Sequence, residues 1–145
     1  MGRNGVLGII VPIHDNEVMH DIFHGKSVYA SLAPGESTDL ERRDRIFFYD
    51  SERTHCLMGE GVISEIAFER AKEVLLDFAG RLYMETGDFG RYVESLPEGE
   101  LSLLRVLHFE DPVLYADPVK CGVDIDEAGT YMTAEVFSRI ARGDK

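Results

Sequence analysis

Four arginines within twelve residues flank a run of three aromatic residues: Arg42, Arg43, Arg45 and Arg53, with Phe47-Phe48-Tyr49 between them. Guanidinium groups pair with phosphates and aromatic rings stack on bases, so this composition suits single-stranded nucleic acid or a splayed base. Three acidic residues in the stretch cancel most of its charge, and alternate aromatics of a strand usually face the core. The residue types therefore support two interpretations, a nucleic-acid contact through Arg42, Arg43 and Arg53 or an ordinary strand.

A lysine provides the second candidate site, in the segment Gly25-Lys26-Ser27-Val28-Tyr29. The segment begins a strand directly after a predicted helix, so the ammonium group of Lys26 can point across a barrel mouth at a phosphate or a carbonyl. The alternative is a surface lysine whose apolar stem lies beside a strand aromatic, and chemistry alone favours that alternative. Tyr29 is a candidate to stack on a base.

Three histidines lie within eleven residues: His14, His20 and His24. His20 and His24 are one helical turn apart, a spacing that can hold a divalent metal ion. Around the predicted helix, however, both lie opposite the apolar stripe and so face solvent. We therefore predict an exposed histidine pair and no metal site.

Glu60 lies between two glycines, where a carboxylate can act as a general acid or base close to a ligand. The alternative is a β-bulge with a solvated carboxylate. The chain contains no phosphate-binding glycine loop, dinucleotide fingerprint, Cys-x-x-Cys pair or Gly-x-Ser-x-Gly elbow. The sequence therefore predicts no cofactor and leaves the catalytic residues unassigned.

Five apolar or alternating runs predict the strands that position these residues: Val6–Ile13, 27–31, Arg45–Asp50, 56–66 and 103–109. The third and fourth are expected to form a hairpin, and prolines favour an edge position for a further extended piece over 113–116. Helical spacing predicts a short helix ending at Gly25, a long one over 68–83 and a short one over 133–142, with Gly87 and Gly90 breaking the second pattern. The sum favours an α+β domain built on a small, mostly antiparallel β-barrel.

The 145 residues suit a single domain over 1–145, and 44% hydrophobic with 29% charged residues predicts a packed core. Asp and Glu number 27 against 15 for Lys and Arg, and the net charge of −12 excludes extended tracking of a nucleic-acid backbone by bulk charge. The chain has no run of about 18 apolar residues, so no membrane span is expected. Two distant cysteines without an export signal indicate a cytoplasmic protein with reduced thiols.

The order of the pieces resembles the PUA-like superfamily, in particular its ASCH branch. The resemblance rests on a strand, a short helix and the segments Gly25-Lys26-Ser27-Val28-Tyr29, Arg43-Asp44-Arg45-Ile46-Phe47-Phe48-Tyr49, Gly59-Glu60-Gly61-Val62-Ile63, Asp111-Pro112-Val113-Leu114-Tyr115 and Pro118. More narrowly, the chain is similar to an archaeal family of that superfamily. The resemblance implies a PUA-like barrel with a cleft between the first helix and the barrel, suited to RNA or a modified nucleoside.

Members of the ASCH branch typically carry Gly-x-Lys-Thr-x-Glu-x-Arg, which Lys26 and Ser27 match at the lysine and the threonine. Tyr29 stands at the position of the glutamate and Ser31 at that of the arginine, while Arg43 replaces the glycine of a Gly-Asp pair. Some members deacetylate N4-acetylcytidine with a lysine, a threonine and a glutamate. The resemblance therefore implies an amidohydrolase as an alternative function, with Lys26 as its activating group.

The leading hypothesis is a module that binds RNA or a modified nucleotide through Lys26, Ser27, Tyr29, Arg42, Arg43 and Arg53. The first alternative is the amidohydrolase. The second is a protein–protein adaptor whose acidic C-terminal half, including Asp124, Asp126 and Glu127, docks a basic partner.

Overall fold

The first strand, β1 (Val6–Ile13), lies within the sheet and is buried at every residue except Leu7. It pairs in parallel with β3 (Arg45–Asp50) and antiparallel with β6 (Thr130–Thr133). The structure is a computed structural model that describes residues 6–14, 16–32 and 40–142. Burial on both faces is what a continuous apolar run predicts, and that prediction is confirmed.

The other strands are β2 (Val28–Leu32), β4 (Cys56–Arg70) and β5 (Leu103–Lys120), and the order across the sheet is β2-β5-β4-β3-β1-β6. Every neighbouring pair except β1 with β3 is antiparallel, and β3 with β4 forms the predicted hairpin. The sheet is not closed, so the predicted barrel is wrong. The end strands have only five and four residues, and closure requires strands long enough to tilt and stagger around the full circle.

The described residues form four α-helices, the first three between strands and the last after β6: α1 (Asn16–Ile22), α2 (Ala71–Phe78), α3 (Thr86–Glu94) and α4 (Ala134–Arg142). The predicted long helix over 68–83 is wrong, because β4 continues to Arg70 and α2 has only eight residues. The ladder between β4 and β5 runs to the pair Arg70–Leu103, so residues 68–70, the first of the helical pattern, form sheet hydrogen bonds instead of helical ones. The predicted breaks at Gly87 and Gly90 are also wrong, since both lie inside α3.

Strand β5 joins two segments that the sequence separates, 103–109 and 113–116, into one strand of 18 residues. Its first half pairs with both β2 and β4, whereas in the described part of the chain its second half pairs only with β4. The predicted edge position of 113–116 is therefore confirmed. Because proline has no backbone N–H, the flanking prolines leave no unpaired donor on the open side of the strand.

The core fills the space between the sheet and the helices, with Phe48 at its centre. The Phe48 ring lies 5.7 Å from the Phe23 ring of the α1 end and 5.1 Å from the Phe109 ring of β5. Aromatic contacts of this kind add to the burial free energy and hold α1 on the sheet. Within the described residues, no helix combines the length and the apolar character needed to cross a membrane.

Candidate functional site

A cleft of about 490 Å³ opens where α3, the end of β1 and the segment between β5 and β6 meet. Its lining combines two phenol rings, a thioether and four groups that can carry charge: Tyr83, Tyr92, Met84, His14, Asp88, Arg91 and Glu127. Apolar walls with a few converging polar groups are typical of small-molecule sites of this size.

The aromatic wall of the cleft is held rigidly from behind. Phe89 of α3 is fully buried, and its ring lies 6.3 Å from the Tyr83 ring and 5.9 Å from the Tyr92 ring. The hydroxyl of Tyr92 accepts a 2.9 Å hydrogen bond from the backbone N–H of Leu32, at the end of β2. Because ring packing and a hydrogen bond both orient it, the Tyr92 ring forms a preformed surface of the cleft.

Both tyrosines are neutral near physiological pH. Burial raises the pKa of Tyr83 well above its usual value, and the neighbouring Tyr29, Tyr92 and Glu127 raise it further. Burial also raises the pKa of Tyr92; the Leu32 N–H opposes this effect and Glu127 adds to it. The half-buried Tyr92 ring is therefore the more accessible aromatic surface, the buried Tyr83 supports it, and neither phenol can serve as a base at neutral pH.

The polar rim of the cleft is a chain of paired groups. His14 Nε2 lies 2.9 Å from a carboxylate oxygen of Glu127, and His14 Nδ1 lies 2.5 Å from Ser51 Oγ. Arg91 pairs with Asp88, one helical turn before it on α3. Since these side chains already face opposite charges, the rim presents both hydrogen-bond donors and acceptors with little net charge.

A buried arginine supports the segment that carries Glu127. Arg105 of β5 is only 2% exposed, and its guanidinium donates to the Tyr131 hydroxyl at 3.1 Å and to the Ala128 carbonyl at 3.4 Å. In the sheet register, Arg105 lies directly opposite Ser31.

The structure separates the residues that sequence reasoning grouped together. Lys26 lines a shallow depression of about 280 Å³ beside α1, and Ser27 Oγ accepts a 2.9 Å hydrogen bond from Arg81. Tyr29 is 1% exposed, and its ring packs 4.2 Å from that of Tyr83. The burial of Tyr29 contradicts its interpretation as a ring on which a base stacks.

The arginines lie at two ends of one strand. Arg42 and Arg43 are exposed before β3, where Arg42 Nε donates to the Ser64 carbonyl at 3.0 Å and both line a depression of about 140 Å³. Arg53 is exposed in the turn that follows β3. The six residues of the strand put the two groups about 20 Å apart, so one small ligand cannot contact both.

The space between α1 and the sheet is a second, smaller depression of about 240 Å³, with an apolar lining that includes Met19, Phe23 and Met58. His20 and His24 at its rim are exposed and stack at 4.2 Å, so the predicted exposed pair is confirmed. No group of three or more His, Cys, Asp or Glu residues in the described ranges is placed to hold a metal ion.

Sequence reasoning missed most of the cleft. The sequence patterns place His14 only in a candidate metal-binding cluster and Glu127 only in an acidic docking surface, which itself stays a prediction. Three lining residues, Asp88, Arg91 and Tyr92, belong to α3, which the sequence does not predict because Gly87 and Gly90 interrupt the helical pattern. The available signal was the apolar spacing of Phe89, Tyr92 and Val93, which predicts a buried helix face.

The chain is similar in fold to crystal structures of ASCH from Zymomonas mobilis. The S128A mutant gives a TM-score of 0.72 at 10% identity, over 97% of this chain and 99% of that one. The unmutated protein gives 0.69 at 10% identity over 94% of each chain, and the Y47F mutant gives 0.69 at 11% identity over 94% and 97%. At such low identity the likeness shows the fold alone, and it confirms the ASCH-like fold.

No curated protein matches the chain significantly. Residues 6–134 match the family described as a domain of unknown function, DUF365, and the chain therefore belongs to that family.

Proposed function

We propose that the protein binds the base of a nucleotide, within RNA or free, in the cleft between α3 and the end of β1. The observation that carries the proposal is a preformed aromatic wall, made by Tyr83 and Tyr92, that faces a rim of paired donors and acceptors. The volume of about 490 Å³ lies in the range of small-molecule pockets, so the cleft suits a nucleoside-sized ligand.

The walls suit the faces of a base. Tyr92 is held by Phe89 and by the Leu32 N–H, so little conformational entropy is lost when a planar ring packs against it. Met84 lines the same cleft and offers a polarizable apolar contact. Aromatic stacking accepts every base, so it accounts for affinity without sequence preference.

The rim suits the edges of a base. Carboxylates of Asp88 and Glu127 accept hydrogen bonds from ring N–H and exocyclic amino groups, while Arg91 donates to ring nitrogens and carbonyls. Each polar group of the ligand would replace an existing ionic partner, so a ligand without matching donors and acceptors leaves rim groups unpaired.

Overall charge supports a local site. A chain with a net charge of −12 repels a phosphate backbone at long range, so affinity must come from the base and its immediate neighbours. The cations outside the cleft are half-buried Lys26 and exposed Arg42, Arg43 and Arg53, and together with Ser27 they remain proposed contacts for flanking phosphates of a longer RNA. The ASCH-like fold agrees with this proposal.

Titration of the full chain with single nucleosides and with total tRNA tests the proposal, by calorimetry and by fluorescence anisotropy respectively. We expect Tyr92→Ala to lower the affinity for both ligands about tenfold or more, since stacking of one base contributes about 1–3 kcal/mol of binding free energy. Tyr49→Ala, which truncates a tyrosine outside the cleft, is the matched control and should leave both affinities unchanged.

Salt separates base recognition from simple charge attraction. We expect nucleoside binding to persist from low to near-physiological salt, while Lys26→Ala or Arg53→Ala lowers only the tRNA affinity and reduces its salt slope by about 1. Exposed Lys72 on α2 supplies the charge-matched control, Lys72→Ala. Absence of nucleoside binding, or binding unchanged by Tyr92→Ala, would refute the cleft as the site.

A further inference from the structure

We propose that Ser51, His14 and Glu127 form a hydrolytic centre at the rim of the cleft, with Ser51 as nucleophile toward a carboxylic ester or amide. Ser51 Oγ lies 2.5 Å from His14 Nδ1, and His14 Nε2 lies 2.9 Å and 3.1 Å from the two carboxylate oxygens of Glu127. Nucleophile, base and orienting carboxylate in one hydrogen-bonded chain are the arrangement that activates a serine.

The contacts assign the protons. His14 Nε2 faces a carboxylate, which accepts only, so Nε2 carries the hydrogen and Nδ1 of the neutral ring is left as the acceptor. Ser51 Oγ donates to the Ile13 carbonyl at 3.2 Å, and in the proposed reaction its hydroxyl hydrogen turns to His14 Nδ1, which lies 2.5 Å away. Glu52, whose carboxylate is 3.9 Å from Nδ1, is a further acidic group facing the ring among the described residues.

Sheet topology places the nucleophile and the base side by side. Strands β1 and β3 are parallel neighbours, and Ile13 pairs with Asp50 in their register. His14 and Ser51 each follow directly at the carboxyl end of a strand, and the Ser51 N–H bonds to the Ile13 carbonyl at 3.3 Å. Sites formed at the carboxyl ends of neighbouring parallel strands stand on rigid elements and face a crevice.

The third member of the chain comes from the segment between β5 and β6, and two buried side chains hold it there. Tyr29 donates to the Glu127 carbonyl at 3.0 Å, and Arg105 donates to the carbonyl of the next residue, Ala128. These bonds fix the backbone that carries Glu127, while its side chain is 75% exposed and contacts His14. In the proposed centre the Glu127 carboxylate is a positioning group that keeps the His14 ring in one tautomer and stabilises its protonated form.

The reaction balances without any oxidant or cofactor. Ser51 Oγ forms a bond to the carbonyl carbon while His14 Nδ1 takes the hydroxyl proton, and the bond to the leaving oxygen or nitrogen then breaks as His14 returns that proton to it. Water attacks the acyl-serine, His14 takes its proton, and the carboxylic acid leaves as the proton returns to Ser51 Oγ.

Covalent labelling of the unmodified full chain tests the proposal directly. We expect diisopropyl fluorophosphate to add one phosphoryl group at Ser51, identified by peptide mass spectrometry, and 4-nitrophenyl acetate to be hydrolysed with an initial burst. Failure of the fluorophosphate to label Ser51 of the wild type would overturn the proposal, whether or not the cleft binds nucleosides.

Variants test the role of each group. Ser51→Ala and His14→Gln should reduce ester hydrolysis to the rate of buffer alone, and Glu127→Gln should lower kcat at least tenfold with KM unchanged. Ser64→Ala, which removes a hydroxyl that donates to the His108 carbonyl, is the control and should retain full activity. Wild-type turnover in Ser51→Ala would equally overturn the assignment.

Discussion

The hydroxyl of Tyr29 donates a 3.0 Å hydrogen bond to the backbone carbonyl of Glu127, which lies 98 residues further along the chain. Burial raises the pKa of Tyr29 above its usual range, and nearby Tyr92 and Glu127 raise it further, so the hydroxyl stays a donor over the whole physiological range. A core residue of β2 therefore positions a rim residue of the cleft.

We expect Tyr29→Phe to lower the free energy of unfolding by about 1 kcal/mol, because the Glu127 carbonyl loses a buried donor while the ring still fills the core. Urea denaturation measures the change. In the same variant, affinity for a cleft ligand should also fall, since Glu127 is no longer held from below.

The control for this variant is Tyr115→Phe. It removes the 2.6 Å hydrogen bond from Tyr115 to Glu60, on residues that do not line the cleft, and so should cost similar stability without changing ligand affinity. Equal loss of affinity in both variants would contradict a specific link between Tyr29 and the cleft.

The Gly59→Ala variant should unfold at lower denaturant. A Cβ at this position would lie 2.3 Å from the Val113 carbonyl oxygen and 2.6 Å from the Phe23 ring, so β4 must move from either β5 or the end of α1. Overpacking of this kind costs about 1–3 kcal/mol, measured as a shift in the denaturation midpoint.

Gly80→Ala is the matched control for Gly59→Ala. Its Cβ would meet nothing within 4 Å, so stability should stay unchanged or rise by up to about 1 kcal/mol as the unfolded chain loses freedom. A Gly59→Ala protein as stable as Gly80→Ala would show that the close approach to β5 does not exist.

Arg105→Lys should destabilise the protein by about 1–3 kcal/mol despite keeping the charge. A lysine cannot reproduce the fork that reaches both Tyr131 and Ala128, and its ammonium is more strongly hydrated than the guanidinium in a site only 2% exposed. Thermal or urea unfolding gives the difference directly.

The surface counterpart is Arg45→Lys. Arg45 pairs with Glu60 at 3.0 Å, but its side chain is half exposed, so this change should cost less than about 1 kcal/mol. If the buried and the exposed arginine tolerate lysine equally well, the structural role assigned to Arg105 is wrong.

Asp50→Asn should destabilise the fold at neutral pH and less so in acid. Burial alone raises the pKa of Asp50. Hydrogen bonds from the backbone N–H groups of Arg53, Thr54 and Glu52 and from the Thr54 hydroxyl stabilise the carboxylate more and lower the pKa overall. A pKa that is lower in the folded state means that the stabilisation is present above about pH 4 and is lost as the pH falls through the folded-state value.

Urea denaturation at several pH values measures this effect. The wild type should exceed Asp50→Asn by about 1–3 kcal/mol at pH 7, and the two curves should converge below about pH 4. The exposed Asp77→Asn on α2 should match the wild type at every pH. If the difference in unfolding free energy between wild type and Asp50→Asn is independent of pH, the ionised Asp50 carboxylate does not stabilise this turn.

Local sequence patterns sufficed for much of the framework. The apolar run of β1, the hairpin of β3 with β4 and the short α1 and α4 follow from residue spacing, because their burial alternates or repeats within one element. The ASCH-like fold followed from the order of short motifs along the chain. These features depend on neighbours in sequence.

Local patterns do not show which of two possible elements a segment forms when tertiary contacts favour one of them. Residues 68–70 have helical spacing but lie in β4, because β5 offers them a ladder of hydrogen bonds. Gly87 and Gly90 weaken a helix by about 1 kcal/mol each, yet α3 forms around them since Phe89 and Val93 bury their side chains against the core. Tertiary packing outweighs local propensity in both cases.

The sequence alone therefore determined the α+β class, most of the strands and a net charge that excludes extended backbone tracking. Only the tertiary structure decided that the sheet stays open, that Tyr29 lies in the core, and that His14 contacts both Ser51 and Glu127. The physical reason is separation along the chain: Glu127 lies 113 residues from His14. Pairing of β1 with β3 and with β6, together with the buried bonds of Tyr29 and Arg105, brings the three segments to the same edge.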